Sequence, residues 1–517
     1  MIWHIFKKDW KLQWRLALAI AFAQLLVSGM LWKPGPMPMV ELLASAVMLA
    51  RAFLIVDTVH HDPLPGVRQD WLVRPIRRSE LLAAKCLFTV LVVQLPVFAG
   101  DLMEALANGF SFGLSFEAAL SRSLYMLIIF SLPILAIASV TKNLLEVLTA
   151  CVFSLSAIAV AQVLTRNSEE GVQKLAGTPL GWIVGICSAL IIVASASAIL
   201  TMQFRLRSTV PSRWLAAIGG IVLIAILQLP WQQSAFALQS RLSPVSDAAG
   251  NVQIAFEANP APVPLVQQRI GRMGNQTNLL IPLSVLGLPA DSILTAEHFE
   301  LSLIDSQGVI QAKSQSSEYG GDQLVVSRQG TGVPVSLNWR SPAIYNTIPI
   351  ETSDYVRLKD RRLRLEIDYS LTLMRLAESD AIPAIDGDAR FSGVGRCTTH
   401  MNKLGAGISL SCLQAGAPSD CYSWFLEHTP SGRRNMENYA CNNRNYSPLF
   451  AQFFPDAIGR FGNGHIPFHD PTGQAHYAVD VPDIAESQVV IRTFRPLGHF
   501  TRQVVTPERP LRDWLAN

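Results

Sequence analysis

From Leu175 to Phe204 the chain carries no charged residue. A helix needs about 20 mostly apolar residues to cross the hydrocarbon core of a bilayer, and a helix apolar on every side has no face to offer water. That run therefore belongs in a membrane. Seven stretches of this kind occupy the first half of the sequence, at roughly 15–32, 39–57, 83–101, 120–140, 144–164, 180–202 and 213–230. The second is the least apolar, with Glu41 near one end and Arg51 inside it. The first follows Lys7, Lys8, Lys11 and Arg15 as a signal peptide would. Because six more spans follow, it is read as an uncleaved helix.

The charge distribution divides the chain in two. Residues 1–235 hold 18 Lys and Arg and 12 Asp and Glu, whereas residues 236–517 hold 24 and 27, an ordinary soluble composition. Overall, 50% of residues are hydrophobic, 16% are charged, and the net charge is +3. Soluble proteins usually carry about 25% charge, which excludes an ordinary soluble enzyme, and the apolar content excludes disorder. Nothing in this balance points to a nucleic-acid partner. The expected organisation is an α-helical polytopic membrane domain of about seven spans over residues 1–230, then a mainly-β domain over 231–517.

Lys and Arg are retained on the cytoplasmic side of a membrane. With the N-terminus inside, the cytoplasmic segments carry Lys7, Lys8, Lys11, Arg15, Arg68, Arg74, Arg77, Arg78, Lys142, Arg205, Arg207 and Arg213, and the outer loops only Lys33, Arg166 and Lys174. Twelve against three sets the orientation. Seven crossings then deliver the C-terminal domain outside the cytoplasm, in a multi-pass protein of the cell (inner) membrane.

Past Pro230 the periodicity changes to short alternations, as in 278–286, 298–304, 322–328, 354–370 and 488–494. Tyr355-Val356-Arg357-Leu358-Lys359 and Arg362-Leu363-Arg364-Leu365-Glu366-Ile367-Asp368 alternate apolar with charged residues, the period of a strand with one wet face. Turn signals at Ser306-Gln307-Gly308, Gly320-Gly321-Asp322 and Asp386-Gly387-Asp388 separate the runs. This pattern reads as an antiparallel β-sandwich, one or two of them, with an irregular Gly-, Asn- and Cys-rich insertion at about 385–475. Cys86, Cys151 and Cys187 fall in the spans and read as small apolar residues. Cys397, Cys412, Cys421 and Cys441 form an even cluster outside the cytoplasm, which favours two disulfides with three possible pairings. The rival is a zinc site with His400 or His428, but the chain has no C-x-x-C pair.

No catalytic motif emerges. The chain lacks a G-x-x-x-x-G-K-[ST] phosphate loop, an H-E-x-x-H helix and a G-x-S-x-G elbow. Gly459, Gly462 and Gly464 read as a turn. His465, His469 and His476 lie near Asp470 and Asp480, but Pro467 and Pro471 disfavour the helix that would align the first two, so a polar loop is preferred over a metal. No metal, cofactor or enzymatic activity is expected. His60-His61-Asp62 reads as membrane boundary, and Arg51 and Glu146 as interfacial anchors near the inner face, Arg51 either snorkelling or pairing with Asp57. The acidic stretch 101–117, with Asp101, Glu104 and Glu117, reads as a short amphipathic helix at the outer interface.

The informative cytoplasmic segment is Pro75-Ile76-Arg77-Arg78-Ser79-Glu80-Leu81-Leu82-Ala83-Ala84-Lys85. Ser79 is placed to cap a helix beginning at Glu80, with an acid favourable in the first turn. A basic, proline-interrupted elbow leading into a capped helix makes a protrusion suited to docking a partner; the alternative is a loop made basic by topology alone. The segment resembles the one between the second and third spans of permease subunits of type-2 ABC exporters, and the likeness covers residues 1–230. The resemblance implies that Arg74, Pro75, Arg77, Arg78, Glu80 and Lys85 face a separate P-loop ATPase subunit. It further implies a homodimer, or a heterodimer with another permease, and an outer domain contacting an unknown extracytoplasmic ligand or protein. A non-transporting sensor or binding protein, and a membrane enzyme with an outer active site, are the alternatives.

Overall fold

The computed structural model describes the chain except residues 31–37, 62–76, 166–180, 207, 229–236, 239, 243–246, 259–271, 274–275, 316–324, 328–343, 392–394, 402–406, 416–420, 435–436, 442–457, 468–480 and 515–517. The first half is helical: α1 (Ile2–Met30), α2 (Pro38–His60), α3 (Arg78–Phe88), α4 (Leu95–Ala107), α5 (Phe112–Met126), α6 (Leu132–Val140), α7 (Leu144–Thr165), α8 (Gly181–Thr201) and α9 (Thr209–Gln228). Among the described residues, six helices are long and apolar enough to cross a membrane. This marks a membrane protein with a separate β-rich region.

Three of the six are longer than expected: α1 already begins at Ile2, α3 runs into α4, and α5 into α6. The junctions are π turns at Thr89–Gln94 and Leu127–Ser131, immediately before Pro96 and Pro133. Proline has no N–H and clashes with the carbonyl four residues back; one wider turn absorbs both problems without breaking the helix. The Gln94 amide donates to the Ser131 hydroxyl at 2.6 Å, tying one π turn to the other. The stretch 101–117 is accordingly not an interfacial helix: α4 continues to Ala107 and α5 starts at Phe112.

At one end of the bundle the last carbonyls of α6 are taken up by three neighbours. His60 of α2 meets the Ala138 carbonyl at 3.1 Å, Gln203 donates to that of Ser139 at 2.9 Å, and Arg213 of α9 donates twice to that of Val140 at 3.1 Å. Cations and donors at a helix C-terminus satisfy its orphan carbonyls. Glu146 is fixed there too, accepting from the Lys142 backbone N–H at 3.0 Å and pairing with Arg213 at 3.3 Å.

The second half is built of antiparallel strands. Its elements are β1 (Gln253–Phe256), β2 (Arg272–Met273), β3 (Gln276–Leu286), β4 (Ser292–Ile304), β5 (Ile310–Gln315), β6 (Val325–Ser327), β7 (Ile344–Glu351), helix α10 (Thr352–Leu358), β8 (Arg362–Pro383), β9 (Asp388–Phe391), β10 (Gly395–Met401), β11 (Gly407–Ala415), β12 (Cys421–His428), β13 (Arg433–Arg434), β14 (Asn438–Cys441), β15 (Ile458–Pro467), β16 (Ser487–Val505) and β17 (Arg509–Pro510). One four-stranded sheet joins β1, β2 and β7 to β3, another runs β15-β11-β10-β9, and the largest runs β13-β12-β16-β8-β4-β5.

The long β8–β16 ribbon passes through two cores. Leu365, Ile367 and Leu371 of β8 share a cluster with Leu279, Ile281 and Leu283 of β3 and Ile348 of β7. Further along, Ile382 of β8 and Val489 and Ile491 of β16 pack with Leu410 of β11 and Leu426 of β12. Within residues 385–475, expected to form an irregular insertion, the described strands β9 to β11 and β15 form a regular sheet over the second core. One alternating stretch departs from expectation. Residues 352–358 are helical, with Tyr355 and Leu358 turned inward three residues apart and Arg357 paired with Asp354. Five residues are too few to separate a period of two from a spacing of three.

Candidate functional site

The elbow enters the structure at Arg77, which is exposed and extended (φ −67°, ψ 127°) and stands as the N-cap of α3. The helix begins two residues earlier than expected. Ser79 lies inside the first turn and makes no cap; instead the Glu80 backbone N–H bonds the Arg77 carbonyl at 2.9 Å. Glu80 stays in the first turn, where an acid meets the positive end of the helix. Arg74 and Pro75 lie outside the described residues, and Arg78 is described by its backbone alone.

Lys85 does not belong to that surface. It is 1% exposed, with its ammonium 2.8 Å from the Asp9 carboxylate of α1 and 2.7 Å from the Thr58 carbonyl of α2. Seven residues of helix from Arg78 is about 10 Å, so this side chain bolts the stem of α3 to its neighbours. The Thr58 hydroxyl donates to Gln13 at 2.6 Å, and the Gln13 amide donates to Asp57 at 2.9 Å, which also pairs with His61 at 3.2 Å.

A second polar cluster joins α1, α2, α4 and α5. Arg51, expected to snorkel or pair with Asp57 near the inner face, occupies the middle of the Leu42–His60 span, is 5% exposed, and donates to the Gln24 side chain. Asp101 of α4 is buried and pairs with Arg122 of α5. Gly100 lets α4 approach α1, since a Cβ there would stand 2.7 Å from the Ser28 hydroxyl. Of these residues, sequence reading singled out Arg51 and Asp101 for other roles and passed over the rest. The missed signal was on α1, where Asp9, Gln13, Gln24 and Ser28 recur on the buried stripe. Residues four or eleven apart share a helix face.

In the β region, Cys397 of β10 and Cys412 of β11 form a disulfide across directly opposed positions, with Cα atoms 4.1 Å apart. Two of the four thiols of the zinc alternative are thereby consumed. Cys421 is also disulfide-bonded, and the residue opposite it in register is Cys441 of β14. His400 is exposed on β10, and His428 meets the Ser431 hydroxyl at 2.6 Å. His465 is placed by its backbone on β15, while His469 and His476 lie outside the described residues. Among the described residues no cluster of His, Cys, Asp or Glu could hold a metal ion. Arg396 grips Asp388 through two hydrogen bonds of 2.9 and 2.6 Å and holds that carboxyl below the usual carboxylate range.

The two halves meet at the α4–α5 turn. Ala105 and Phe110 form an apolar cluster with Leu413 of β11. Gly395 (φ +72°) accommodates the Phe110 ring, which a Cβ would meet at 2.3 Å, and Gly109 (φ +91°) faces Arg390 of β9. Both glycines adopt a left-handed conformation that other residues rarely take. The sheet carrying the Cys397–Cys412 bridge is the one resting on the turn.

No family model matches the chain, and no curated protein matches it. Among solved structures, a bacterial adhesin from Mobiluncus mulieris containing intramolecular disulfide, isopeptide and ester bond cross-links is similar at a TM-score of 0.13 and 7% identity, over 49% of this chain and 98% of that one. Red sea bream transglutaminase is similar at a TM-score of 0.12 and 8% identity, over 55% of this chain and 34% of that one. Likenesses this slight carry no argument about fold or function.

Proposed function

We propose that the chain is a permease-like membrane subunit of an ABC-type export system, energised by a separate P-loop ATPase that docks on the elbow Arg74–Glu80. The observation that carries this reading is the elbow segment itself, together with the way it enters α3. Arg77 is exposed at the start of a helix whose stem is locked to α1 and α2 by Lys85. A push on the elbow then reaches three helices instead of bending one loop. In this reading α7 supplies a seventh crossing, the N-terminus is cytoplasmic, and the β region lies outside. An odd number of crossings with a third helix leading outward puts the α4–α5 turn on the same side as the β region, and the contact between Phe110 and Leu413 supports that arrangement. The core shared by β3, β7, β4 and β8 supports reading those two sheets as the leaves of a sandwich. The permease would work as a homodimer or beside a second permease.

The test is affinity purification of the full chain from native membranes in mild detergent, with bound proteins identified by mass spectrometry. A stoichiometric P-loop ATPase is expected, lost when Arg77→Glu and Arg78→Glu are combined. Absence of any ATPase, under conditions that keep a known ABC complex intact, refutes the proposal.

One observation favours a second reading, a non-transporting sensor acting through its outer domain: the β region rests on a membrane turn through a fitted contact. Under that reading the double elbow variant leaves the bound proteins unchanged.

A further inference from the structure

Arg51 is a cation at mid-span whose hydrogen bond goes to a neutral amide. Among the described residues it makes no ion pair; Gln24 accepts from it, and no carboxylate lies within salt-bridge distance. The buried carboxylate of Asp101 is paired with Arg122. A guanidinium removed from water without a counter-charge is among the costliest groups a membrane protein can carry. Its planar fork of donors matches the oxygens of a phosphate or carboxylate. Polar side chains from neighbouring helices surround Arg51: Gln24 and Ser28 from α1, Asp101 from α4, beside Gly100, and Arg122 from α5. Asp101 stands six residues from the end of α4, about 9 Å along the axis. The cluster therefore lies nearer the end of the bundle that carries the α4–α5 turn and the β region.

We propose that Arg51, with Gln24 beside it, is the binding site for one oxyanion, a phosphate or carboxylate group, held between α1, α2, α4 and α5. The ligand chemistry is that of a lipid phosphate or of a soluble oxyanion, and the two sources are separable by experiment. The site does not depend on ATPase docking, so it stands or falls apart from the permease reading.

The experiment is thermal unfolding of the full chain in a neutral detergent, titrated with short-chain phosphatidic acid and, separately, with inorganic phosphate. At least one is expected to raise the unfolding temperature of the wild type saturably, with apparent affinity falling about tenfold or more in Arg51→Gln and recovering only in part in Arg51→Lys, which keeps the charge but not the fork. A response to phosphatidic acid alone assigns a lipid headgroup; a response to both assigns a soluble oxyanion. Gln24→Glu keeps the shape of the side chain and places a carboxylate against Arg51. It is expected to unfold at a higher temperature than the wild type without ligand, and to lose the anion response because the site is filled from within. This variant decides the matter even if Arg51→Gln does not fold. A wild type indifferent to both probes, or a Gln24→Glu chain that is less stable and still responds, overturns the proposal.

Discussion

Lys85 illustrates how far a residue's chemistry depends on where its side chain is sent. By sequence it closes a basic, surface-seeking segment; in the structure it is fully enclosed against Asp9 and the Thr58 carbonyl. A buried ion pair is held together more by the cost of breaking it than by net gain, because losing one partner strands the other charge out of water. Lys85→Ala should therefore destabilise the bundle by about 3–5 kcal/mol, measured by denaturant unfolding of the purified chain. The double variant Asp9→Leu with Lys85→Met removes both charges and should recover most of that loss. If the double variant is as damaged as the single one, the pair is not what Lys85 contributes. Nothing in residues 75–85 alone reveals this. A lysine seven residues into a helix faces whatever neighbours the packing supplies, and those neighbours lie 76 and 27 residues away in the chain.

Among the elements, Pro96 and Pro133 were the least legible. The apolar runs 83–101 and 120–140 pass through both prolines without showing the π turn that each requires, and only the facing helix provides the Gln94–Ser131 bond that accommodates the wider turn. The strand pattern was legible where alternation ran long. In β8 the residues Leu363, Leu365, Ile367, Tyr369 and Leu371 alternate inward without exception. It failed in α10, where a seven-residue helix precedes the next strand. The cysteines fall between these cases. An even cluster of four cysteines in the β-rich half pointed to disulfides, but choosing among three pairings required strand register, which sets Cys397 opposite Cys412 and Cys421 opposite Cys441. Peptide mapping without reductant should recover a Cys421–Cys441 cross-linked pair alongside Cys397–Cys412. A peptide joining Cys421 to any other cysteine would rule the register assignment out.

For the whole molecule, the decisive feature is the seat of the β15-β11-β10-β9 sheet on the α4–α5 turn. Gly395 has no room for a side chain beneath the Phe110 ring, so Gly395→Val should lift the sheet from the turn while leaving both cores intact. Leu413, buried in that contact, is the reporter. In a Leu413→Cys background, Gly395→Val should raise the rate of modification of the purified full chain in mild detergent by a polar maleimide by about tenfold or more, following the population of the open form. Equal rates with and without Gly395→Val would mean that the two halves do not hold each other. The sequence by itself determined the division into a membrane half and a β-rich half, the long strands and the presence of disulfides. Each of these is written in local composition and periodicity, which act within a few residues. Tertiary structure alone decided that Lys85 turns inward, that Arg51 stands at mid-span against a neutral amide, and that Phe110 lies under Gly395. The partners of these groups are remote in sequence, and the cost of burying charge and the fit of a ring against a glycine are properties of the packed interior.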